Sequence, residues 1–225
     1  MLGTGSWGTT FSQVLADAGL EVRMWGRRKT IVEMVNSGEN SAYLPGVELS
    51  SRITATTDLK SAVTGASAVV LAVPVGVTGE VVEAAVAHAP EAPFVSLSKG
   101  IEPGTMRTVS QLIAAAGNLP PSQIVAISGP NLSMEIAMRQ PTAAVVASED
   151  VETAKQIARA CHNEYFRPYV STDLTGVEVA GAAKNVIALA IGASEGMGLG
   201  ANTRATLITR GLAEMTRLGV ALGAR

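Results

Sequence analysis

Apolar residues recur along this chain in two alternating rhythms. Short runs of Val, Ile, Leu and Ala read as buried strands, and between them lie stretches whose apolar positions repeat every three or four residues, as on one helix face. Phe11, Val14, Leu15 and Ala18 have that helical spacing, which predicts a helix over 8–18 stopped by Gly19. Strands are expected at 21–25, 53–56, 68–72, 94–97, 124–128, 143–147 and 166–170. Helices are expected at 29–36, 58–64, 77–88, 105–116, 131–138 and 151–161, with a loop over 40–47. Alternation of this kind predicts an α/β fold, a doubly wound parallel or mixed sheet covered by helices on both faces. After Asp173 the strand pattern stops. Helices over 174–193 and 203–218 flank the glycine-rich 196–200, so an α/β domain over 1–170 is expected to give way to an all-helical region over 171–225.

The chain opens on Gly3-Thr4-Gly5-Ser6-Trp7-Gly8, of the form G-x-G-x-x-G. Gly3 suits a tight turn, Gly5 lets a pyrophosphate approach the backbone, and Gly8 allows a helix to pack closely on a strand. The following helix N-terminus directs free N–H groups at phosphate. Alone the hexapeptide is weak, but here it stands in βαβ order, the context that a dinucleotide-binding turn requires. The next strand end, where an acid would hold the ribose of NAD, reads Trp25-Gly26-Arg27-Arg28. Two arginines suit a 2′-phosphate through charge-assisted hydrogen bonds, which favours NADP(H) with NAD(H) as a second cofactor; the alternative is a solvated arginine pair.

Composition narrows the classes. Hydrophobic residues make up 47% and aromatics only 4%, a balance that suits buried strands and close helix packing. Seventeen basic and 19 acidic residues leave a formal charge of -2, with no basic patch for nucleic acid. The lone Cys161 cannot form an internal disulfide, which fits a reducing cytoplasm, and a small buried residue near a helix end is favoured over a thiol nucleophile. His88 and His162 are far apart, so no metal site is expected. No apolar run long enough to cross a bilayer is read, and no signal peptide. Only Met1 and Leu2 precede Gly3, whereas a strand takes about five residues. Further residues are therefore expected before Met1 and, from the abrupt stop at 223–225, after Arg225.

Ligands of open α/β sheets lie beyond the carboxyl ends of the strands. Lys99, in Ser96-Leu97-Ser98-Lys99-Gly100, follows one such end and could meet an anionic substrate; a surface lysine is the even alternative. Ser128-Gly129-Pro130-Asn131 follows another and opens a helix with Ser133 in its first turn, where N–H groups could hold a substrate oxygen or a nicotinamide amide. A structural cap explains it as well. A sharper signal is Gly181-Ala182-Ala183-Lys184-Asn185. Val177, Ala180, Lys184, Ile187 and Ile191 share one helical stripe, so Lys184 is expected to face inward among small residues. Desolvation lowers a lysine's pKa toward what a proton donor and acceptor needs, and snorkelling is the alternative. Glu195, Asn202 and Arg204 read equally as substrate-side groups or solvated caps.

Taken together, G-T-G-S-W-G-T-T, W-G-R-R, Y-L-P-G, S-K-G-I-E, I-S-G-P-N, G-V-E-V-A-G-A-A-K-N-V-I-A and G-A-N-T-R-A-T-L-I-T-R-G-L-A-E-M span residues 3 to about 215. In this combination the chain resembles the bacterial type of NAD(P)-dependent sn-glycerol-3-phosphate dehydrogenase. The resemblance implies a Rossmann-type domain followed by an all-helical one, paired as a cytoplasmic homodimer. It implies reversible reduction of dihydroxyacetone phosphate to sn-glycerol 3-phosphate for phospholipid synthesis, with Lys184 as proton donor and acceptor. Lys99, Gly129, Asn131, Lys184 and Asn185 would correspond to substrate contacts. Beside Gly3, Gly5 and Gly8, the residues Ser6, Trp7, Arg27, Arg28, Tyr43, Lys99 and Ser133 would correspond to cofactor contacts. Family members continue past the equivalent of Arg225 through a Gly-Leu-Gly-Asp segment and an Arg-Asn pair that serve the site, so this chain alone is expected to show little or no turnover. The competing readings are a dehydrogenase of the 3-hydroxyacyl-CoA or 6-phosphogluconate type, and a non-catalytic NADPH-binding redox sensor.

Overall fold

Met1 and Leu2 run through the middle of a sheet. Leu2 pairs in parallel with Trp25 on one side and Leu71 on the other, its N–H donating to the Val70 carbonyl at 2.7 Å. In the computed structural model, which describes all of residues 1–225, this stub joins two sets of strands. One set pairs β1 (Val22–Trp25) with β2 (Ile53–Thr56). The other runs in the order β3 (Val69–Leu71), β4 (Phe94–Ser96), β5 (Ile124–Ser128), β6 (Thr142–Ala147) and β7 (Phe166–Ser171). Every pair is parallel except β5 with β6, so the sheet is mixed.

Strand residues alternate between two cores. Val95, Leu97, Val125 and Ile127 join Phe11, Val14 and Phe166 on one face, while Phe94, Ile124 and Ala126 join Val82 and Ile113 on the other. Period-two alternation with both faces apolar is what a sheet covered by helices requires. The first face is covered by α1 (Ser6–Asp17), α2 (Lys29–Asn36) and α7 (Val151–Cys161), and the second by α3 (Leu59–Val63), α4 (Thr78–Val86) and α5 (Val109–Gly117). The short α6 (Ser133–Ala137) lies against α1. Two long helices, α8 (Leu174–Gly196) and α9 (Ala201–Ala221), follow and pack on each other, with α8 also touching β5 and β6.

Three sequence expectations need correction. The helix expected from 105 starts at Val109, because Thr108 and Gln111 form a capping box there and Met106 takes a left-handed φ of 59°. Residues 105–108 instead fold back so that Thr108 bridges Ile101. The buried face of α8 runs through Leu174, Glu178 and Gly181, whereas Ala180 is exposed and Lys184 half-buried. The stripe read from sequence faces α9 and a cavity, and Ile187 lies where a side chain at Gly211 would collide with it. Finally, α8 is by length and composition apolar enough to cross a membrane, with a mean hydropathy of 1.4 over an 18-residue window; in this fold it packs on α9, β5 and β6.

Candidate active site

The glycine turn is shaped by close backbone contacts. Gly3 has φ 120°, and a Cβ there would run into the Ala72 carbonyl; one at Gly8 would run into the Gly3 carbonyl and lie 3.1 Å from Ala72 Cβ. Only glycine permits this approach of α1 to the sheet. Gly5 differs: its Cβ position has nothing within 4 Å, so its open side faces empty space. That space is a cleft of about 670 Å³ at the carboxyl ends of the central strands. Gly3, Gly5, Ser6, Trp7, Gly8, Arg27, Arg28 and Tyr43 all line it, with Thr4, Pro74 and Ser98 as members the sequence did not single out. The Arg28 guanidinium stacks over the Tyr43 ring at 5.3 Å and donates to its hydroxyl, while Arg27 is exposed beside it. A cradle that a Cβ would fill, a helix N-terminus and two cations at the far end fit a dinucleotide phosphate chain.

A second cavity, of about 700 Å³, opens between α8, α9 and the turn after β5, lined by Ser128, Gly129, Val177, Ala180 and Lys184 among others. Lys99 stands between the two spaces. It follows Ser98 of the first cleft, and its Nζ donates to the carbonyl of Gly129 in the second at 3.0 Å. Burial, and then the charge of Lys184, push Lys99 down from 10.5 to about 8. A Cβ added at Gly181 would lie 2.7 Å from Ser128 Oγ and 3.8 Å from Lys99 Cγ, so the small residue is what lets α8 bring Lys184 toward the strand ends.

The other expected site residues are spread around this junction. Both side-chain polar atoms of Asn131 are buried without a hydrogen-bond partner, an arrangement that costs about 1–3 kcal/mol per group unless a ligand supplies one. Asn185 is exposed on α8. Ser133 and Lys99 lie outside the lining of the first cleft; the Ser133 carbonyl accepts the Thr10 hydroxyl and ties α6 to α1. Cys161 ends α7 fully buried, its thiol pushed up to about 12 by burial, so it offers no thiolate. Among the buried polar residues that the sequence does not single out, Glu178 and Asn40 bear on the site. Glu178, on the face of Leu174 and Gly181, could have been found by extending the helical spacing through a charged residue. Asn40, at the head of a loop, carries no such signal.

The fold and cleft define a Rossmann-type dinucleotide-binding protein. Comparison with known proteins then gives the family. Residues 1–154 match the model of the NAD-dependent glycerol-3-phosphate dehydrogenase N-terminus, and 173–225 that of its C-terminus. A glycerol-3-phosphate dehydrogenase (NAD(P)+) of Thermobifida fusca is 53% identical over 227 residues, covering 100% of this chain and 68% of that protein. One of Streptomyces griseus is 50% identical over 226 residues, covering 100% of this chain and 67% of that protein. Among solved structures, glycerol-3-phosphate dehydrogenase of Coxiella burnetii superimposes with a TM-score of 0.91 at 35% identity, covering 100% of this chain and 69% of that one. The chain belongs to the NAD-dependent glycerol-3-phosphate dehydrogenases and spans about two thirds of the length of these relatives. Its members are NAD(P)-dependent enzymes.

Proposed function

We propose that this chain carries the cofactor site and part of the substrate site for reducing dihydroxyacetone phosphate to sn-glycerol 3-phosphate, with Lys184 as the proton donor. The carrying observation is the convergence of Lys99, Gly129 and Lys184 at the second cavity, where Gly181 brings α8 against Ser128 at the end of β5. Residues 1–170 are the dinucleotide-binding domain in this reading, and 171–225 begin the helical one.

The nicotinamide, when bound, supplies hydride to the C2 carbonyl or accepts it back. Lys184, half-buried at the second cavity, gives the C2 oxygen its proton in reduction and takes it in oxidation. Lys99 offers a positive charge near the unpartnered amide of Asn131 to a phosphorylated three-carbon substrate, with the exposed Asn185 on α8 as a further contact in this reading. Gly129 lends backbone, its carbonyl already holding Lys99. Ser6 and Trp7, which open α1, would meet the pyrophosphate, Ser133 on α6, packed against α1, would approach the cofactor, and Arg27, Arg28 and Tyr43 would hold the 2′-phosphate end. A cytoplasmic homodimer supplying glycerophospholipid synthesis completes the reading.

The test is NADPH absorbance after adding dihydroxyacetone phosphate, with this chain and with a version extended to the length of its relatives. Loss of signal that Lys184→Met lowers by orders of magnitude, with NADPH affinity largely kept, supports the reading. Undiminished turnover in Lys184→Met would remove Lys184 from the mechanism. An extended chain that binds NADPH and turns nothing over would instead favour a redox sensor.

A further inference from the structure

Asn40 is fully buried at the head of the loop that carries Tyr43, and its side chain reaches into the glycine turn. Its Nδ2 donates to the Thr4 carbonyl at 3.1 Å and to Thr9 Oγ1 at 2.8 Å. Thr9 Oγ1 in turn approaches the same Thr4 carbonyl at 3.4 Å, so Thr4 is held from two sides. Thr4 lies between the first two glycines of the turn and lines the cleft.

The contacts continue in both directions from Thr4. A Cβ at Gly26 would lie 2.6 Å from Thr4 Cγ2, so the backbone that leads into Arg27 and Arg28 rests directly on the Thr4 side chain. Arg28 grips Tyr43 by stacking and by a hydrogen bond. Tyr43 and Leu44 return their N–H groups to the Asn40 carbonyl at 2.9 and 2.7 Å, and the fully buried Leu44 anchors the turn. The circuit Asn40–Thr4–Gly26–Arg28–Tyr43–Asn40 is closed. Two side-chain polar links close it, Asn40 to Thr4 and Arg28 to Tyr43; the rest is chain connectivity and a close packing contact.

We infer that Asn40 is a positioning residue for the dinucleotide, setting the glycine turn and the Arg28–Tyr43 pair in one fixed relation. It is fully buried and does not line the cleft itself. Its amide fixes where the Thr4 peptide points, and with it the open face at Gly5; its backbone fixes where the Tyr43 ring stands. Aspartate cannot replace it, because a carboxylate has no donor for the Thr4 carbonyl. The inference rests on the first cleft being the dinucleotide site.

The test uses the two tryptophans, Trp7 and Trp25, both of which line the cleft and report bound NADPH by energy transfer without turnover. NADPH and NADH are titrated against the unmodified chain, Asn40→Ala, Asn40→Asp and Thr9→Val, each at a temperature where urea unfolding shows it folded. Ile113→Val, a fully buried change in α5 remote from the cleft, controls for loss of stability alone. Asn40→Ala should weaken NADPH about tenfold or more, Asn40→Asp further, and Thr9→Val in the same direction by less. NADPH should lose more than NADH, because only NADPH carries the phosphate that the Arg28 end would hold. Ile113→Val should lower stability and leave both affinities unchanged. NADPH affinity unchanged in folded Asn40→Ala, or in Thr9→Val should the alanine variant not fold, overturns the inference, as does an equal loss for both cofactors. An unmodified chain that shows no transfer to NADPH removes the cofactor site itself, which is a different failure.

Discussion

The Glu178 carboxylate of α8 accepts the backbone N–H of Ser110, at the start of α5, at 2.8 Å, and also the Ser110 hydroxyl. A buried acid of the long helix thus caps a helix of the sheet layer, 68 residues away in sequence, with the favourable sign for a helix N-terminus. Burial raises the Glu178 carboxyl above its ordinary 4.5, while the Ser110 hydrogen bonds pull the other way. A carboxyl raised in the folded state contributes stability that is present below the unfolded value and is lost as pH rises through the folded one. The unfolding free energy of the natural chain relative to Glu178→Gln should therefore grow as pH falls from 7 toward 4.5, measured by urea unfolding at each pH. Glu178→Ala should cost about 1–3 kcal/mol at pH 7, since it orphans the buried Ser110 N–H.

Lys99 makes the opposite kind of prediction. Its value of about 8, against an ordinary 10.5, means that the folded chain releases this proton before the unfolded chain does. Raising the pH from 8 to 10.5 should stabilise the natural chain relative to Lys99→Met. Reductive methylation with a carbon-13 label gives the direct check: the Lys99 signal should titrate near 8 and move upward in Lys184→Met, where the neighbouring charge is gone. A midpoint near 10.5 in the natural chain would contradict the burial seen here.

Gly5 and Gly8 should separate binding from folding. Gly8→Ala forces a methyl into the Gly3 carbonyl and should cost about 1–3 kcal/mol of stability by overpacking. Gly5 has φ -75° and open space around its Cβ position, so Gly5→Ala should change stability by less than about 0.5 kcal/mol. That methyl occupies the cleft, and NADPH affinity should fall. Urea unfolding and fluorescence titration on the two variants read both halves.

Arg28 should decide between the two cofactors. Arg28→Gln removes a charge-assisted contact of about 1.5–3 kcal/mol, which corresponds to a roughly tenfold to hundredfold weaker NADPH Kd. NADH, which has no 2′-phosphate, should bind nearly as before. Equal weakening would mean that Arg28 serves the loop through Tyr43 rather than the phosphate.

Much of the framework was legible because it rests on local periodicity. The strands at 53–56 and 124–128 and the helix at 151–161 were read with their observed bounds, since each has an unbroken pattern bordered by turn residues. The start of α5 was missed because the apolar pattern continues into 105–108 while the capping box begins the helix at Val109. On α8 the inward face was misassigned: a stripe of apolar residues and one lysine outweighed a face that contains a glutamate, although that glutamate is the buried one.

By itself the sequence determined the glycine turn, the βαβ order, the change to helices after Asp173, and the residue types at each strand end. These follow from spacing within one segment, and they carry the family resemblance. Tertiary structure alone decided that Lys99 reaches the Gly129 carbonyl, that Glu178 caps Ser110, and that Asn40 holds Thr4. Each of these joins segments at least 30 residues apart in sequence, and so depends on how elements cross and how closely backbones approach. Periodicity reports which face of an element is buried. It carries no record of which distant polar group that face will meet.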